Sequence, residues 1–168
     1  MGRYRPPGAP STAIITEQGY SALEKELKAL WVRRRGVTEA VTAAAAEGDR
    51  SENAEYIYRK KELREIDRRV RYLQKRLAVL KVVRDQPDDM SRIYFGASIE
   101  LLSEAGESST VRIVGPDETE PSRRWISIDS LMAKALLKKM EGDEVTVEAP
   151  GGSCVYEVVS INYDIQQV

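Results

Sequence analysis

The stretch Gly48-Asp49-Arg50-Ser51-Glu52-Asn53-Ala54-Glu55-Tyr56 lies midway between two long segments with helical periodicity. In each segment, apolar or near-apolar residues recur at alternating steps of three and four, with one turn skipped. They are Tyr20, Leu23, Leu27, Leu30, Val37, Val41 and Ala44, then Tyr56, Leu63, Ile66, Val70, Leu73, Leu77 and Leu80. This is the a/d spacing of a coiled coil. Because a reversal near residue 50 would pair the two series end to end, the pattern predicts an antiparallel helical hairpin. Residues 48–56 form its tip.

The two predicted helices are of similar length. The first is expected from about Glu17 to Glu47 after an N-cap at Thr16, and the second from about Arg50 to Asp85. Pro87 ends the second helix, because the residues before proline disfavour the helical region. Gly36 should weaken the first helix by roughly 1 kcal/mol relative to Ala. At 1.5 Å per residue each helix would reach roughly 45 Å, which indicates a projecting rod.

After Pro87 the apolar period changes from about 3.5 residues to 2, as is typical of strands. The predicted strands are Ile93 to Leu102, Ser109 to Val114, Arg124 to Ile128, Glu144 to Glu148 and Cys154 to Tyr163. Between them, Leu131 to Met140 has helical spacing, with Asp129 or Ser130 as cap. The sequence therefore predicts an α+β protein: an N-terminal antiparallel α-helical coiled-coil hairpin and a small C-terminal antiparallel β domain with one short helix. The expected divisions are a flexible tail at 1–13, the hairpin at 14–86 and the C-terminal domain at 90–168.

Charge is distributed unevenly along the chain, although the formal net charge is -1. Residues 57–86 carry eleven basic and four acidic side chains, whereas residues 87–168 carry seven basic and fifteen acidic ones. Such a division suggests two surfaces that meet different partners. The sequence lacks His and has one cysteine, Cys154, which excludes an internal disulfide, a His-based metal site and a Cys-rich zinc site. We expect Cys154 to be a small buried strand residue.

Two further features of the sequence limit the class of protein that we expect. No apolar run approaches the length of about 18 residues that a membrane span requires. The N-terminal residues lack the apolar core of a secretory signal. A cytoplasmic protein that does not interact with a membrane is therefore expected.

Two acidic residues of the tip have a spacing that suits either a cation or a helix cap. Asp49 and Glu52 are three apart, so on a helix their Cβ atoms would lie roughly 5–6 Å from each other on one face. Two such carboxylates could share a Mg²⁺ ion that a partner molecule also binds, because Mg²⁺ prefers oxygen ligands. Alternatively, the pair fits a variant capping box, in which Asp49 caps the backbone and Glu52 reaches back. The spacing alone leaves both interpretations open.

The basic residues of the second helix also allow two interpretations. The candidate RNA-binding patch is Lys60, Lys61, Arg64, Arg68 and Arg69. Its surplus positive charge would suit phosphate contacts, and Tyr56, Tyr58 and Tyr72 could stack on bases. The alternative is the solvated charged face that coiled coils commonly have.

The tip stretch resembles the tip motif of the bacterial transcript-cleavage (transcription elongation) factor family GreA/GreB. The segment Lys60-Lys61-Glu62-Leu63-Arg64-Glu65-Ile66-Asp67-Arg68-Arg69-Val70-Arg71-Tyr72-Leu73 is most similar to the GreB branch. In the C-terminal part the family resemblance rests on Tyr94-Phe95-Gly96-Ala97, Arg112-Ile113-Val114-Gly115 and Ile126-Ser127-Ile128-Asp129-Ser130. The resemblance covers about residues 12–164, with several motifs in the same order.

The resemblance implies a specific activity. Members of this family bind bacterial RNA polymerase through an FKBP-like C-terminal domain and insert the coiled coil into the secondary channel. In backtracked complexes they stimulate the polymerase itself to cleave the nascent RNA 3′ end. The family's two tip acids correspond to Asp49 and Glu52, which would share Mg²⁺ with the polymerase active site only in the complex, with no cofactor held tightly by the free protein.

The resemblance also assigns roles to neighbouring residues. Asn53, Glu55 and Tyr56 would shape the tip, and Asp129, Ser130 and Leu131 would form the polymerase-docking loop. The protein is then expected to be a monomer that stimulates the polymerase without being an enzyme itself.

The sequence departs from the family pattern at two positions. Leu131 stands where members usually have Pro, which would favour the first helical position, so a less rigid docking loop and weaker polymerase binding are expected. Gly36 stands where the GreB branch has Pro. Two other functions remain as alternatives: a secondary-channel regulator of polymerase that does not stimulate cleavage, and a structural coiled-coil adaptor.

Overall fold

The structure, a computed structural model, describes residues 10–46 and 53–163. These residues form two compact units. Residues 18–80 make one unit, and the described residues up to Glu17 together with those from Lys81 onward make the other. The elements in chain order are β1 Ile14–Thr16, α1 Glu17–Ala46, α2 Ala54–Leu77, β2 Lys81–Val83, β3 Ser98–Ser103, β4 Ser108–Val114, a 3-10 turn at Pro121–Arg123, β5 Trp125–Ser127, α3 Leu131–Leu136, β6 Glu144–Ala149 and β7 Gly152–Asn162.

The hairpin is held together by the apolar residues that the sequence places in the a/d positions. Val37 of α1 packs with Ile66 and Val70 of α2 in a buried cluster. The half-buried residues around this cluster are Leu27, Leu30, Val41 and Leu63. Burial of these side chains stabilises two helices that are otherwise strongly polar. The predicted pairing of the two apolar series is therefore confirmed. Helix α1 continues through Gly36 without interruption.

Ion pairs between the helices fix their antiparallel direction. Arg33 binds Glu62 at 2.6 Å, Arg34 binds Asp67 at 2.6 Å, and Glu26 binds Arg69 at 2.7 Å. Residues early in α1 thus meet residues late in α2. The midpoints of these pairs lie between residues 47 and 51 along the chain, which agrees with the predicted reversal near residue 50.

The predicted bounds of the second helix are wrong at both ends. Helix α2 begins at Ala54 instead of Arg50, because Asn53 has extended backbone angles and acts as its N-cap. It ends at Leu77 instead of Asp85, and the chain then forms β2, Lys81–Val83. Strand β2 pairs in parallel with β1 to make a two-stranded sheet that was not predicted. The β-branched residues of β2 favour a strand, and pairing with β1 satisfies their backbone groups.

A five-stranded sheet in the order β5-β4-β3-β7-β6 forms the second unit's main layer. All neighbouring strands are antiparallel except β4 and β5, which are parallel. One face carries the core, which includes Ile99, Leu101, Ile113 and Val158 and is closed by Leu136 of α3. The predicted α+β class is confirmed, with one parallel strand pair where a wholly antiparallel sheet was expected.

Three predicted elements of this unit are shorter than expected, and β5 is one of them, since it spans Trp125–Ser127 rather than Arg124 to Ile128. Strand β3 begins at Ser98 rather than Ile93, because Gly96 turns the chain at a φ of 88°. Helix α3 ends at Leu136 rather than Met140, and Lys138 then adopts a left-handed φ of 69° that no helix can continue. The start of β3 and the end of α3 are both set by backbone turns that the apolar pattern does not show.

The expectation for the single cysteine is wrong. Cys154 lies in β7 as predicted, but its side chain is exposed. The first three residues of β7, which include Cys154, are all exposed. Among the described residues, no helix is long and apolar enough to cross a membrane.

Candidate functional site

Asp49 and Glu52 lie outside the described residues, so the structure positions the helix ends on either side of them. Helix α1 ends at Ala46 and α2 begins at Ala54. A connection of only seven residues, 47–53, therefore carries both carboxylates. In the sequence the two carboxylates therefore fall between the end of one packed helix and the start of the other.

Asn53 joins the two helices at the end of this connection. Its Oδ1 accepts a hydrogen bond of 3.0 Å from the backbone N–H of Tyr56, which caps α2. Its Nδ2 donates a 2.9 Å hydrogen bond to the carbonyl of Ala44 in the last turns of α1. One half-buried amide thus satisfies a free N–H of one helix and a carbonyl of the other.

The capping of α2 by Asn53 bears on the predicted capping box of the acidic pair. A capping box at Asp49 and Glu52 requires a helix that runs from about Arg50 through Asn53. Asn53 has φ -81° and ψ 97°, which is not helical, and it performs the capping itself. The predicted capping box at Asp49 and Glu52 lies outside the described residues, and the N-cap that the structure describes for α2 is Asn53. Neither carboxylate is needed as the N-cap of α2.

Glu55 and Tyr56, the other two residues predicted to shape the tip, lie in the first turn of α2. The Glu55 carboxylate is exposed and lies 3.5 Å from Arg59. Tyr56 is half-buried, and Lys60 contacts it twice: its Nζ donates to the hydroxyl at 3.2 Å and lies 5.2 Å from the ring centroid. Glu55 also suits the positive end of the helix dipole.

The predicted RNA-binding patch lies along α2. Lys60, Lys61, Arg64 and Arg68 are exposed on this helix. Lys60, Arg64 and Arg68 recur every four residues, so they follow one face of the helix. Lys61, Arg64 and Arg68 make no ion pair with any residue that the structure describes. Arg69 differs, because both its Nε and Nη2 donate to Glu26, at 2.7 and 2.9 Å.

Glu62 shows how the remaining charges are used to join the helices. Its side chain accepts hydrogen bonds from Arg33 of α1 and from Arg59 of α2. The hydrogen bond from Arg33 is the largest cause of a lowered pKa for Glu62, with Arg59 contributing further. Charge in this part of the hairpin is paired, in contrast to Lys61, Arg64 and Arg68.

The predicted docking residues lie in the loop between β5 and α3. The Asp129 carboxylate accepts two hydrogen bonds from Thr12, one from its backbone N–H at 2.9 Å and one from its hydroxyl at 2.5 Å. Ser130 caps α3 by accepting from the N–H of Ala133 at 3.1 Å. Leu131 is 56% exposed at the first position of α3. The loop thus presents one apolar side chain beside a carboxylate held by the N-terminal segment.

Thr12 is the residue that sequence reasoning missed. It was assigned to a flexible tail, residues 1–13, of which 1–9 lie outside the described residues. A contact across 117 residues has no local signal in the sequence. Thr16 makes an equivalent pair of bonds to Glu118, at 2.9 and 2.5 Å, so the segment is bound to the C-terminal unit at two points.

No group of three or more acidic or other metal-ligating side chains occurs within residues 10–46 and 53–163. Asp49 and Glu52 offer two carboxylates, fewer than the six ligands that Mg²⁺ takes.

The chain matches two family models that together span most of its length. "Transcription elongation factor, N-terminal" matches residues 13–82, and "Transcription elongation factor, GreA/GreB, C-term" matches residues 86–163. The division between the two matches falls just after β2.

Individual relatives agree with these models. The chain is 56% identical over 165 residues to transcription elongation factor GreB of Xanthomonas axonopodis, covering 97% of this chain and 98% of that one. It is 55% identical to GreB of Pseudomonas aeruginosa over 97% of this chain and 98% of that one. A solved structure of GreA factor homolog 1 from Thermus thermophilus is 25% identical, covers 89% of this chain and 98% of its own, and has a TM-score of 0.43. With two domain matches in order and identities above half over nearly the whole length, the chain belongs to the GreA/GreB family of transcription elongation factors.

Proposed function

We propose that this elongation factor binds RNA polymerase and stimulates the polymerase to cleave the 3′ end of nascent RNA in backtracked complexes. The observation that carries this proposal is the position of Asp49 and Glu52. They lie in a seven-residue connection between two long, packed helices. Asn53 supplies the N-cap of α2, so the proposal does not need either carboxylate for that cap.

The hairpin has the reach that delivery of the tip to a distant site requires. Helix α1 has 30 residues and α2 has 24. At 1.5 Å per residue, a helix of 24–30 residues is about 36–45 Å long. Such a rod would carry its tip through the polymerase secondary channel while the C-terminal unit stays on the surface.

At the polymerase active site, Asp49 and Glu52 would supply two oxygen ligands to a Mg²⁺ ion. In two-metal phosphodiester hydrolysis, one ion would lower the pKa of the attacking water and the other would stabilise the leaving oxygen, and the ion that Asp49 and Glu52 help to hold would be the second of this pair. The polymerase would provide the remaining ligands and the catalytic centre. The factor is therefore a stimulator of the enzyme's own reaction and not an independent nuclease.

The unpaired cations of α2 would hold the displaced RNA. Lys61, Arg64 and Arg68 are exposed and have no acidic partner among the described residues, so their charge remains available for phosphates. Phosphate contacts position a nucleic acid without reading its bases, so we expect little dependence on RNA sequence. Arg69 would contribute less, because Glu26 already occupies it.

The test is RNA cleavage in stalled, backtracked elongation complexes. Wild-type protein should accelerate cleavage, and it should cleave no RNA when polymerase is absent. Asp49→Asn and Glu52→Gln should bind polymerase normally, as measured by pull-down, and should not accelerate cleavage. A wild-type protein that binds polymerase without accelerating cleavage would instead be a regulator of the channel. A protein that does not bind polymerase would be a structural adaptor.

A further inference from the structure

Three arginines and a tryptophan gather at one edge of the five-stranded sheet. The members of this arginine–tryptophan cluster are Arg112, Arg123, Arg124 and Trp125. The carbon of the Arg112 guanidinium lies 5.2 Å from the centroid of the Trp125 ring, and so does that of Arg123. Cation–π contacts of this length order both the ring and the guanidinium groups.

The strand pairing explains why these side chains meet. Val111 and Ile113 point into the core, so Arg112 between them lies on the opposite face of β4. Trp125 is its register partner on the parallel strand β5. Arg123 lies in a tight loop that is closed by two backbone hydrogen bonds between Glu120 and Trp125, of 3.0 and 3.3 Å. This loop places Arg123 beside the ring of Trp125.

Two of the three positive charges in this cluster have no ion-pair partner among the described residues. Arg112 and Arg124 make no ion pair with a described residue, and the buried Nε–H of Arg112 has no acceptor there. Glu100, on the neighbouring strand β3, uses its carboxylate to accept bonds from Ser108 and Ser160. Arg123 is the one member of the cluster with an acidic partner in the described part of the chain, Glu120 at 3.4 Å.

The conformation of Arg124 adds a further observation. It has a left-handed φ of 55°, a conformation that Gly and Asn adopt more readily than Arg. Its side chain is exposed and forms no contact that would explain an arginine at this turn, within the part of the chain that the structure describes. A role in binding would explain it.

We propose that the arginine–tryptophan cluster binds a carboxylate-bearing segment of the polymerase. Arginine and tryptophan are the residue types that most often dominate protein–protein binding energy, and a guanidinium pairs well with a carboxylate. The cluster also lies at one end of β5, and the docking loop with Leu131 follows the other end. This inference rests on the proposed function and adds a second contact to it.

A protein partner is favoured over a nucleic acid by the charge around the cluster. Residues 87–168 carry fifteen acidic against seven basic side chains. Such a negative field repels a polyanion at long range, whereas a short acidic segment of a protein can meet a local group of cations.

The experiment measures affinity of the full chain for core RNA polymerase by fluorescence anisotropy. The variants are Arg124→Asn and the double variant Arg123→Gln/Arg124→Asn. The matched control is Lys138→Asn, which also removes one exposed positive charge at a left-handed residue, φ 69°. Since Asn tolerates this conformation, both Asn variants should keep the thermal stability of the wild type.

The proposal predicts that Arg124→Asn weakens polymerase binding roughly 2–5-fold and the double variant roughly tenfold, as expected for partly solvated ion pairs. Lys138→Asn should bind as the wild type does. Equal affinity for all four proteins would overturn the acidic-segment proposal and leave the cleavage function intact. Loss of binding to a labelled single-stranded RNA, with polymerase affinity unchanged, would also overturn it. If the wild type fails to bind polymerase at all, the proposed function itself fails.

Discussion

Asn53→Ala tests how the tip is held, because it removes two hydrogen bonds with one substitution. The Oδ1 bond to the N–H of Tyr56 caps α2, and the Nδ2 bond to the carbonyl of Ala44 joins α2 to α1. Both bonds lie directly beside the connection that carries the acidic pair. We therefore expect the substitution to reduce both the stability of the hairpin and cleavage stimulation.

The expected loss of stability can be worked from these two contacts. Replacing an Asn N-cap by Ala costs about 1 kcal/mol. Ala44 is 4% exposed, and a buried carbonyl that loses its donor costs about 1–3 kcal/mol. Because water can partly replace the lost donor at the hairpin end, we expect about 2 kcal/mol in total.

A pair of further variants separates the two bonds. Asn53→Asp keeps an oxygen that can cap α2 and loses the donor to Ala44, so it should lose only the cross-helix part, about 1 kcal/mol. Gln74→Ala is the matched control, since it removes an exposed amide from the same helix. Surface substitutions of this kind change stability by about 0.5 kcal/mol or less.

The assay is urea unfolding of the full chain followed by circular dichroism of the helices, with cleavage of backtracked complexes measured in parallel. Asn53→Ala should lower the free energy of unfolding by about 2 kcal/mol and should slow cleavage at saturating factor. If Asn53→Ala is as stable as Gln74→Ala, then Asn53 does not hold the two helices together and the reasoning is wrong.

Three further predictions concern single contacts. Thr12→Val should weaken polymerase binding about fivefold in anisotropy measurements, because it releases Asp129 from a hydrogen bond worth about 1 kcal/mol; unchanged affinity would refute it. Gly115→Ala should destabilise the protein by about 1–3 kcal/mol in thermal unfolding, since a Cβ there would lie 2.2 Å from the carbonyl oxygen of Ile14. The lowered pKa of Glu62 stabilises the fold above its ordinary pKa of 4.5, and this contribution is lost as pH falls through the lowered value. Glu62→Gln should therefore narrow the stability difference between pH 7 and pH 3 in urea titrations.

The hairpin could be predicted from the sequence because its signal is repeated many times. Fourteen apolar positions in two matching series leave one way to bury them, and the buried residues Val37, Ile66 and Val70 belong to those series. The sheet strands could be located for the same reason. Their ends could not, because a single backbone turn, such as that at Lys138, ends an element without altering the apolar pattern.

The sequence pattern did not predict the very short strands or the contacts between residues that are far apart in the chain. Strands β1 and β2 have three residues each, too few for a period to be distinguished from that of the adjoining helices. The bonds between Thr12 and Asp129 join residues 117 positions apart. Asn53 is a preferred N-cap residue, but Asp49 and Ser51 are as well, so the sequence offered several candidates.

Only part of the candidate site could be predicted from the spacing and chemistry of its residues. Spacing suggested that Asp49 and Glu52 could share a cation or cap a helix, and the structure shows that Asn53 is the N-cap of α2. The assignment of the pair to polymerase chemistry came from the family resemblance, since two carboxylates on a turn have no specific meaning by themselves. Which residues of the basic patch form ion pairs could not be predicted from the sequence either. The pairing of Arg69 with Glu26, for example, depends on the register of the two helices.

The most direct test of the central claim is the Mg²⁺ dependence of cleavage in backtracked complexes. The rate is measured at saturating factor over a range of Mg²⁺ concentrations, with wild type, Asp49→Asn and Glu52→Gln. The account predicts that wild-type factor lowers the Mg²⁺ concentration needed for half-maximal rate, and that each variant binds polymerase but loses this effect. If both variants show the wild-type rate and the wild-type Mg²⁺ dependence, the carboxylates do not contribute ligands in the polymerase active site.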